Sequence, residues 1–185
     1  MLLSTGSQWL GASKQRLHDS EYFPLKNRST IPTHKRLEYA RGYLALGLVH
    51  EATLELEKIE VGDRKSIEVR AVWVELHMVA KQWELVLKVA RLLCEVSPEN
   101  EGAWIAWATA LRKLQRVKEA GEVLLKAEPL HGGKSAILHY HLACYACLQG
   151  YHMEAEKYLA KACKMDTHFS DQWPSDPDLA GLLPF

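Results

Sequence analysis

His139, His141, Cys144 and Cys147 form the densest group of potential metal ligands in the chain. On a helix, His141, Cys144 and Cys147 stand three residues apart and share a face, which offers a soft-metal or redox site. Zinc sites normally draw their remaining ligands from a second pair of similar spacing, and no such pair is evident, although Cys163 can approach from a paired helix. Compact side chains lining a groove or packing between helices explain the same residues, so no metal ligand is assigned. A metal- or redox-responsive regulator built on Cys144 and Cys147 stays as an alternative function. Gly132-Gly133-Lys134-Ser135 ends like a phosphate-binding loop, yet Glu128 stands where that loop needs its first glycine and no strand precedes it. A flexible linker with Ser135 as helix N-cap accounts for it. His50-Glu51-Ala52-Thr53-Leu54 starts like a metalloprotease helix but lacks the second histidine. With no Ser-His-Asp or paired-carboxylate set to nominate, no catalytic residue, no cofactor and no enzymatic activity are expected.

Composition narrows the classes further. The 185 residues are 48% hydrophobic and 25% charged, with 23 basic side chains against 23 acidic ones. That apolar fraction builds a real core. Zero formal charge argues against a duty dominated by nucleic-acid phosphates or an anionic membrane, both of which select a surplus of Lys and Arg. No apolar stretch approaches the roughly 20 residues that cross a bilayer, and the first twelve residues lack the basic start of a secretory signal. A cytoplasmic protein is expected, with residues 1–32 as a flexible or irregular head. Four cysteines are too few for a disulfide scaffold.

A period then organises the chain. Ala52, Val86, Ala120 and Ala155 follow at spacings of 34, 34 and 35, and Ala40, Val74, Ala108 and Ala143 keep the same spacing. So do Ile59, Leu93, Ala127 and Ala162, and the large residues Tyr39, Trp73, Trp107 and Leu142 form a parallel column. Alternating small and large slots are what two antiparallel helices need, because they approach closely only where one presents a small side chain and the other fills the space beside it. Local signals place the hairpins. Leu37, Ala40, Leu44 and Leu48 run at helical spacing to a turn at Gly47, after which Ala52, Leu56 and Ile59 continue. Further helices are expected near 66–80 and 83–96 behind a Ser66 cap, from Asn100 to about 114, from 117 to a stop at Pro129, and from Ser135 through a turn at Gly150 to about 165.

The period, the small-residue columns, Trp104 with Trp107 and Ala108, Pro98, and the run from Leu142-Ala143 through Gly150 and Ala155 to Leu159 and Ala162 resemble the tetratricopeptide repeat. The likeness covers about 33–169 as four units, 33–66, 67–100, 101–134 and 136–169, with residues 170–185 as a C-terminal cap. Lys81 replaces a turn glycine in the second unit, and the first lacks a closing proline. The closing part also looks like the end of short stand-alone bacterial tetratricopeptide proteins.

The resemblance implies an all-α, right-handed superhelix of four helical hairpins whose first helices line a concave groove. That groove would offer Leu37, Arg41 and Leu44, then Ala71, Glu75 and Met78, then Ile105, Thr109, Arg112 and Lys113, then Tyr140, Cys144 and Cys147. Apolar contacts mixed with both signs of charge suit a peptide or helix of another protein. A non-catalytic interaction scaffold or adaptor is the expected function, with a secretion-type chaperone holding an extended client as the alternative. Glu75 in mid-groove repels a terminal carboxylate, which argues against the chaperone-tail-binding use of the fold. Residues 1–36 carry six basic and two acidic side chains, whereas Asp166 onward carries four Asp and no Lys or Arg. The acidic tail is therefore expected either to cover the last hairpin, with Asp176 capping a short helix over 177–183, or to join two chains head to tail.

Overall fold

The computed structural model describes residues 31–182; all but the last two residues of the expected head lie outside them. Four helical hairpins follow in order: α1 (Thr33–Ala45) with α2 (Val49–Glu57), α3 (Ile67–Val79) with α4 (Trp83–Val96), α5 (Glu101–Lys113) with α6 (Val117–His131), and α7 (Ala136–Leu148) with α8 (His152–Met165). A 3-10 turn, Asp63–Lys65, stands between the first two hairpins, and a short α9 (His168–Gln172) with two further 3-10 turns, Trp173–Ser175 and Pro177–Leu182, completes the array. No strand occurs among the described residues. The chain is an all-α helical superhelix.

Three helix starts, those of α3, α5 and α7, carry side-chain caps at the expected places. The Ser66, Asn100 and Ser135 side chains accept hydrogen bonds from the backbone N–H groups of Val69, Ala103 and Leu138, satisfying donors that the first turn leaves open. Each hairpin turns through a left-handed residue: Gly47, Lys81, Gln115 and Gly150 all have positive φ. Across the hairpins, Ala40, Ala52, Val86, Ala90, Ala108, Ala120, Ala143 and Ala155 are fully buried, so the small columns are the seams along which the helices meet.

The core is distributed. One cluster joins α1, α2 and α3, a second joins α3, α4 and α5, and a third runs from α5 to the tail. Leu87, Trp104 and Trp107 pack against the last two and tie them together. Stacked repeats bury in this way what no single hairpin can bury alone.

Two expectations near the third unit are corrected. Helix α6 does not stop before Pro129 but runs one further turn to His131. The proline removes a single N–H near the helix end, and the last turn is held instead by Gly132 N–H donating to the Glu128 carbonyl at 2.7 Å and by a 3.0 Å contact of the His131 Nε2 with the Pro98 carbonyl. The linker expectation is corrected only at the first of the following glycines, since Gly133 is exposed with nothing within 4 Å of where a Cβ would sit. Gly132 is buried, and His139, with no solvent exposure, holds the Gly132 carbonyl through its Nε2 at 2.7 Å.

Candidate functional site: the wall formed by the first helices

Helices α1, α3, α5 and α7 lie side by side, each touching the next, and their common face carries three columns at the repeat spacing. Leu37, Ala71, Ile105 and Tyr140 form one, Arg41, Glu75, Thr109 and Cys144 the second, and Leu44, Met78, Arg112 and Cys147 the third. The structure gives these columns different roles in different units.

In the first unit, Leu37 and Leu44 do not line a groove. They are 6% and 8% exposed and belong to the core with Leu56, Ile59, Val69 and Val72. Leucine is long enough to fill the seam between α1 and α3, where alanine at the equivalent position 71 is not. Arg41 does stand on the open face, and its guanidinium grips Glu75, with Nε to Oε2 at 3.1 Å and Nη2 to Oε1 at 3.0 Å. Both side chains are about half exposed, so the pair contributes no more than about 1 kcal/mol to stability. Its electrostatic effect matters more, because Glu75 is no longer the unbalanced mid-groove charge that the sequence suggested.

Between α3 and α5 the wall opens into a trough of about 660 Å³. Ala71, Met78, Ile105 and Ala106 line it, and Val79 and Ile137, each 43% exposed, stand beside them. Its two acids are already engaged, Glu75 by Arg41 and Glu101 by the Ser135 hydroxyl. The trough is thus a largely apolar surface, in which Glu75 is balanced by Arg41 while the Glu101 carboxylate is hydrogen-bonded but keeps its charge. Val79 and Ile137 escaped sequence reasoning because the columns were drawn through a single face, whereas the trough reaches past it to the end of α3 and the start of α7.

The α5–α7 end of the wall is filled by the chain's own tail. Leu179 is fully buried, and the 3-10 turn containing it packs on α7 and α8. Asp176 caps that turn by accepting the Asp178 N–H at 2.9 Å, and its Oδ2 also accepts the Tyr140 hydroxyl at 2.7 Å. Asp178 takes the Arg112 guanidinium in a two-pronged pair, Oδ2 to Nε at 3.0 Å and Oδ1 to Nη2 at 2.5 Å. Tyr140 stacks on Phe169 with ring centroids 4.5 Å apart. Tyr140 and Cys144, expected as open lining, are therefore covered, and so is Cys147. Burial pushes the Tyr140 hydroxyl and the Cys144 thiol well above their usual ranges, and the neighbouring aspartates push them the same way. Thr109 is only partly buried and stands beside Tyr145, whose hydroxyl burial also raises. Lys113 is exposed at the end of α5.

The cysteine cluster gains no support as a metal centre. Among the described residues no three His, Cys, Asp or Glu side chains are placed to hold an ion. Cys94, Cys144, Cys147 and Cys163 are all unpaired, and the Cys144 thiol, buried and raised, is a poor nucleophile and a poor ligand. Burial likewise lowers His141, partly offset by Asp176 and Asp178.

No family model matches the chain, and no curated protein is similar to it. Solved structures of MamA share its fold. MamA AMB-1 superposes with a TM-score of 0.60 at 22% identity, covering 73% of this chain and 79% of that one. MamA MSR-1 gives 0.62 at 22% over 77% and 81%, and a further MamA crystal structure gives 0.64 at 16% over 75% and 81%. At these identities the likeness is one of fold.

Proposed function

We propose that this protein is a non-catalytic interaction scaffold that holds a peptide or helix of a partner protein against the α3–α5 trough. The observation that carries this reading is the trough itself: about 660 Å³ of apolar surface on the stacked first helices, with both of its acids internally bonded. Surfaces of this kind accept the apolar face of an amphipathic segment through two or three anchor side chains. Three anchors give roughly 5–9 kcal/mol of gross burial energy, from which the cost of association is subtracted, so binding is transient, at micromolar or weaker affinity. Ala71, Glu75, Met78 and Ile105 make the contact, while Arg41 serves by neutralising Glu75. The covering of Cys144 and Cys147, with the Cys144 thiol raised, favours this reading over a redox regulator, and four unpaired cysteines fit a cytoplasmic location.

A photo-crosslinking side chain at Met78 tests the reading against one at Leu92, which is exposed on the second helix α4. A discrete set of partners trapped at Met78, absent at Leu92 and lost on Ile105→Glu, is the expected result. Identical sets at the two positions, or capture indifferent to Ile105→Glu, would move binding off the trough.

A further inference from the structure

The tail does more than a terminal cap requires. To seal the last hairpin, an element needs only an apolar face against α7 and α8, and Phe169 and Leu179 supply it. Yet the chain also directs two carboxylates onto the concave wall. Asp178 reaches Arg112 on α5, one unit behind the hairpin being capped, and Asp176 reaches Tyr140 on α7. The segment is not a regular helix but a 3-10 turn, a conformation a short bound peptide can adopt. Its backbone comes close to the wall at Gly181, where an added Cβ would stand 2.9 Å from the His152 ring and 3.2 Å from the Cys147 sulfur. A guanidinium fork for one carboxylate, a phenol for another and a closed slot for a leucine are the ingredients of acidic-motif recognition. This subsite is also continuous with the trough, since Ile105 lines the trough and packs against the same cluster as Leu179.

We infer that the α5–α7 wall is a recognition site for a peptide of the form acidic-x-acidic-Leu carried by a partner protein, and that Asp176-Pro177-Asp178-Leu179 occupies it as a built-in competitor. The inference rests on the scaffold reading but concerns the other end of the wall. Tethering holds the tail near the site at an effective concentration on the order of 1 mM. A partner segment therefore gains access in proportion to the tail's loss of grip. An isolated peptide competes poorly with wild type and well with a chain whose tail has lost its carboxylates.

The test uses the full-length chain and a fluorescent octapeptide of the sequence Ser-Asp-Pro-Asp-Leu-Ala-Gly-Leu, read by anisotropy. The isosteric double substitution Asp176→Asn, Asp178→Asn loosens the tail without changing its size, and Gly181→Val loosens it by steric push; circular dichroism checks that each retains the wild-type helix content. Both variants are expected to bind the octapeptide about tenfold more tightly than wild type, roughly the share of affinity a charge-assisted pair supplies. Arg112→Ala in either background removes that gain, and an octapeptide with both Asp replaced by Asn does not bind. Equal binding by wild type and the two variants, or a gain that survives Arg112→Ala, overturns the inference. If Gly181→Val unfolds, the isosteric variant alone decides. A wild-type mass that doubles with concentration, and halves in the Asn variant, makes the occupant the tail of a second copy and refutes the partner assignment. None of these substitutions touches Met78 or Ile105, so failure here leaves the trough reading standing and failure there leaves this one.

Discussion

Replacing Lys81 and Gln115 by glycine should stabilise the fold. Gly47, Lys81, Gln115 and Gly150 stand at successive spacings of 34, 34 and 35, with φ of 73°, 56°, 62° and 81°. All four end the first helix of a hairpin in the same way. The positive-φ residue donates its N–H three residues back, as Lys81 does to Met78 at 3.1 Å, and the next residue donates five back, as Gln82 does to His77 at 2.9 Å, which is the Schellman pattern. At Gly47 and Gly150 nothing lies within 4 Å of where a Cβ would sit, so the preference for glycine there comes from the dihedral and not from crowding. A side chain in this conformation costs about 1–2 kcal/mol, while glycine loses about 0.5–1 kcal/mol more backbone entropy on folding. Each substitution therefore gains about 0.5–1 kcal/mol. The two sites lie a full repeat apart and should add. At about 2–4 °C per kcal/mol for a chain of this size, the double variant melts roughly 2–8 °C higher, measured by circular dichroism at 222 nm. Gly150→Ala is the converse and should lower the melting temperature by a comparable step. A double variant that melts at or below wild type would refute the reasoning, since it would mean that the Lys81 and Gln115 side chains contribute more than their strain removes.

Two further outcomes follow from close packing and from burial. Gly132→Ala places a Cβ 2.7 Å from the Glu128 carbonyl and 3.4 Å from the His139 ring, an overpacking cost of about 1–3 kcal/mol, whereas Gly133→Ala meets nothing within 4 Å and should leave the urea midpoint within about 0.5 kcal/mol of wild type; equal effects at the two glycines would dismiss the tight-turn description. Burial raises the Cys94 thiol from 9.0 to about 12, so folding favours its protonated form: its contribution is intact below pH 9 and is lost as pH rises from 9 toward 12. Urea midpoints should be level between pH 7 and 8 and fall above 9, with a shallower fall in Cys94→Ala; an unchanged slope in that variant would show that the thiol is not the group responsible.

Local, periodic features were legible in the sequence because they repeat where their physics repeats. The caps at Ser66, Asn100 and Ser135 need only an oxygen placed before a helix, and the turn residues need only their place in the period. Pro129 was misread because the strength of a helix stop depends on what holds the last turn, here the Pro98 carbonyl from another unit and the Glu128 carbonyl. The groove columns were drawn correctly in register but not in role. Side-chain length decides whether a position fills the seam, as Leu37 and Leu44 do, or leaves a trough, as Ala71 does. The covering of Tyr140 and Cys144 had no periodic signal at all, since it depends on where the chain turns after Met165 and on Arg112, reached across 66 residues of sequence.

The neutral total charge acquires a structural meaning along the wall. Arg41 cancels Glu75 at one end and Arg112 meets Asp178 at the other, so Glu101 is the charge left in the lining of the trough between them. A segment docking there is selected chiefly by the fit of its apolar anchors. The filled end works by the opposite means. Its recognition elements are a guanidinium and a phenol that carboxylates satisfy, and vacating them would leave Arg112 and Tyr140 without these partners. Exchange of one acidic segment for another is therefore favoured over an empty site, which is why the competitor has to carry the same chemistry as the tail it replaces.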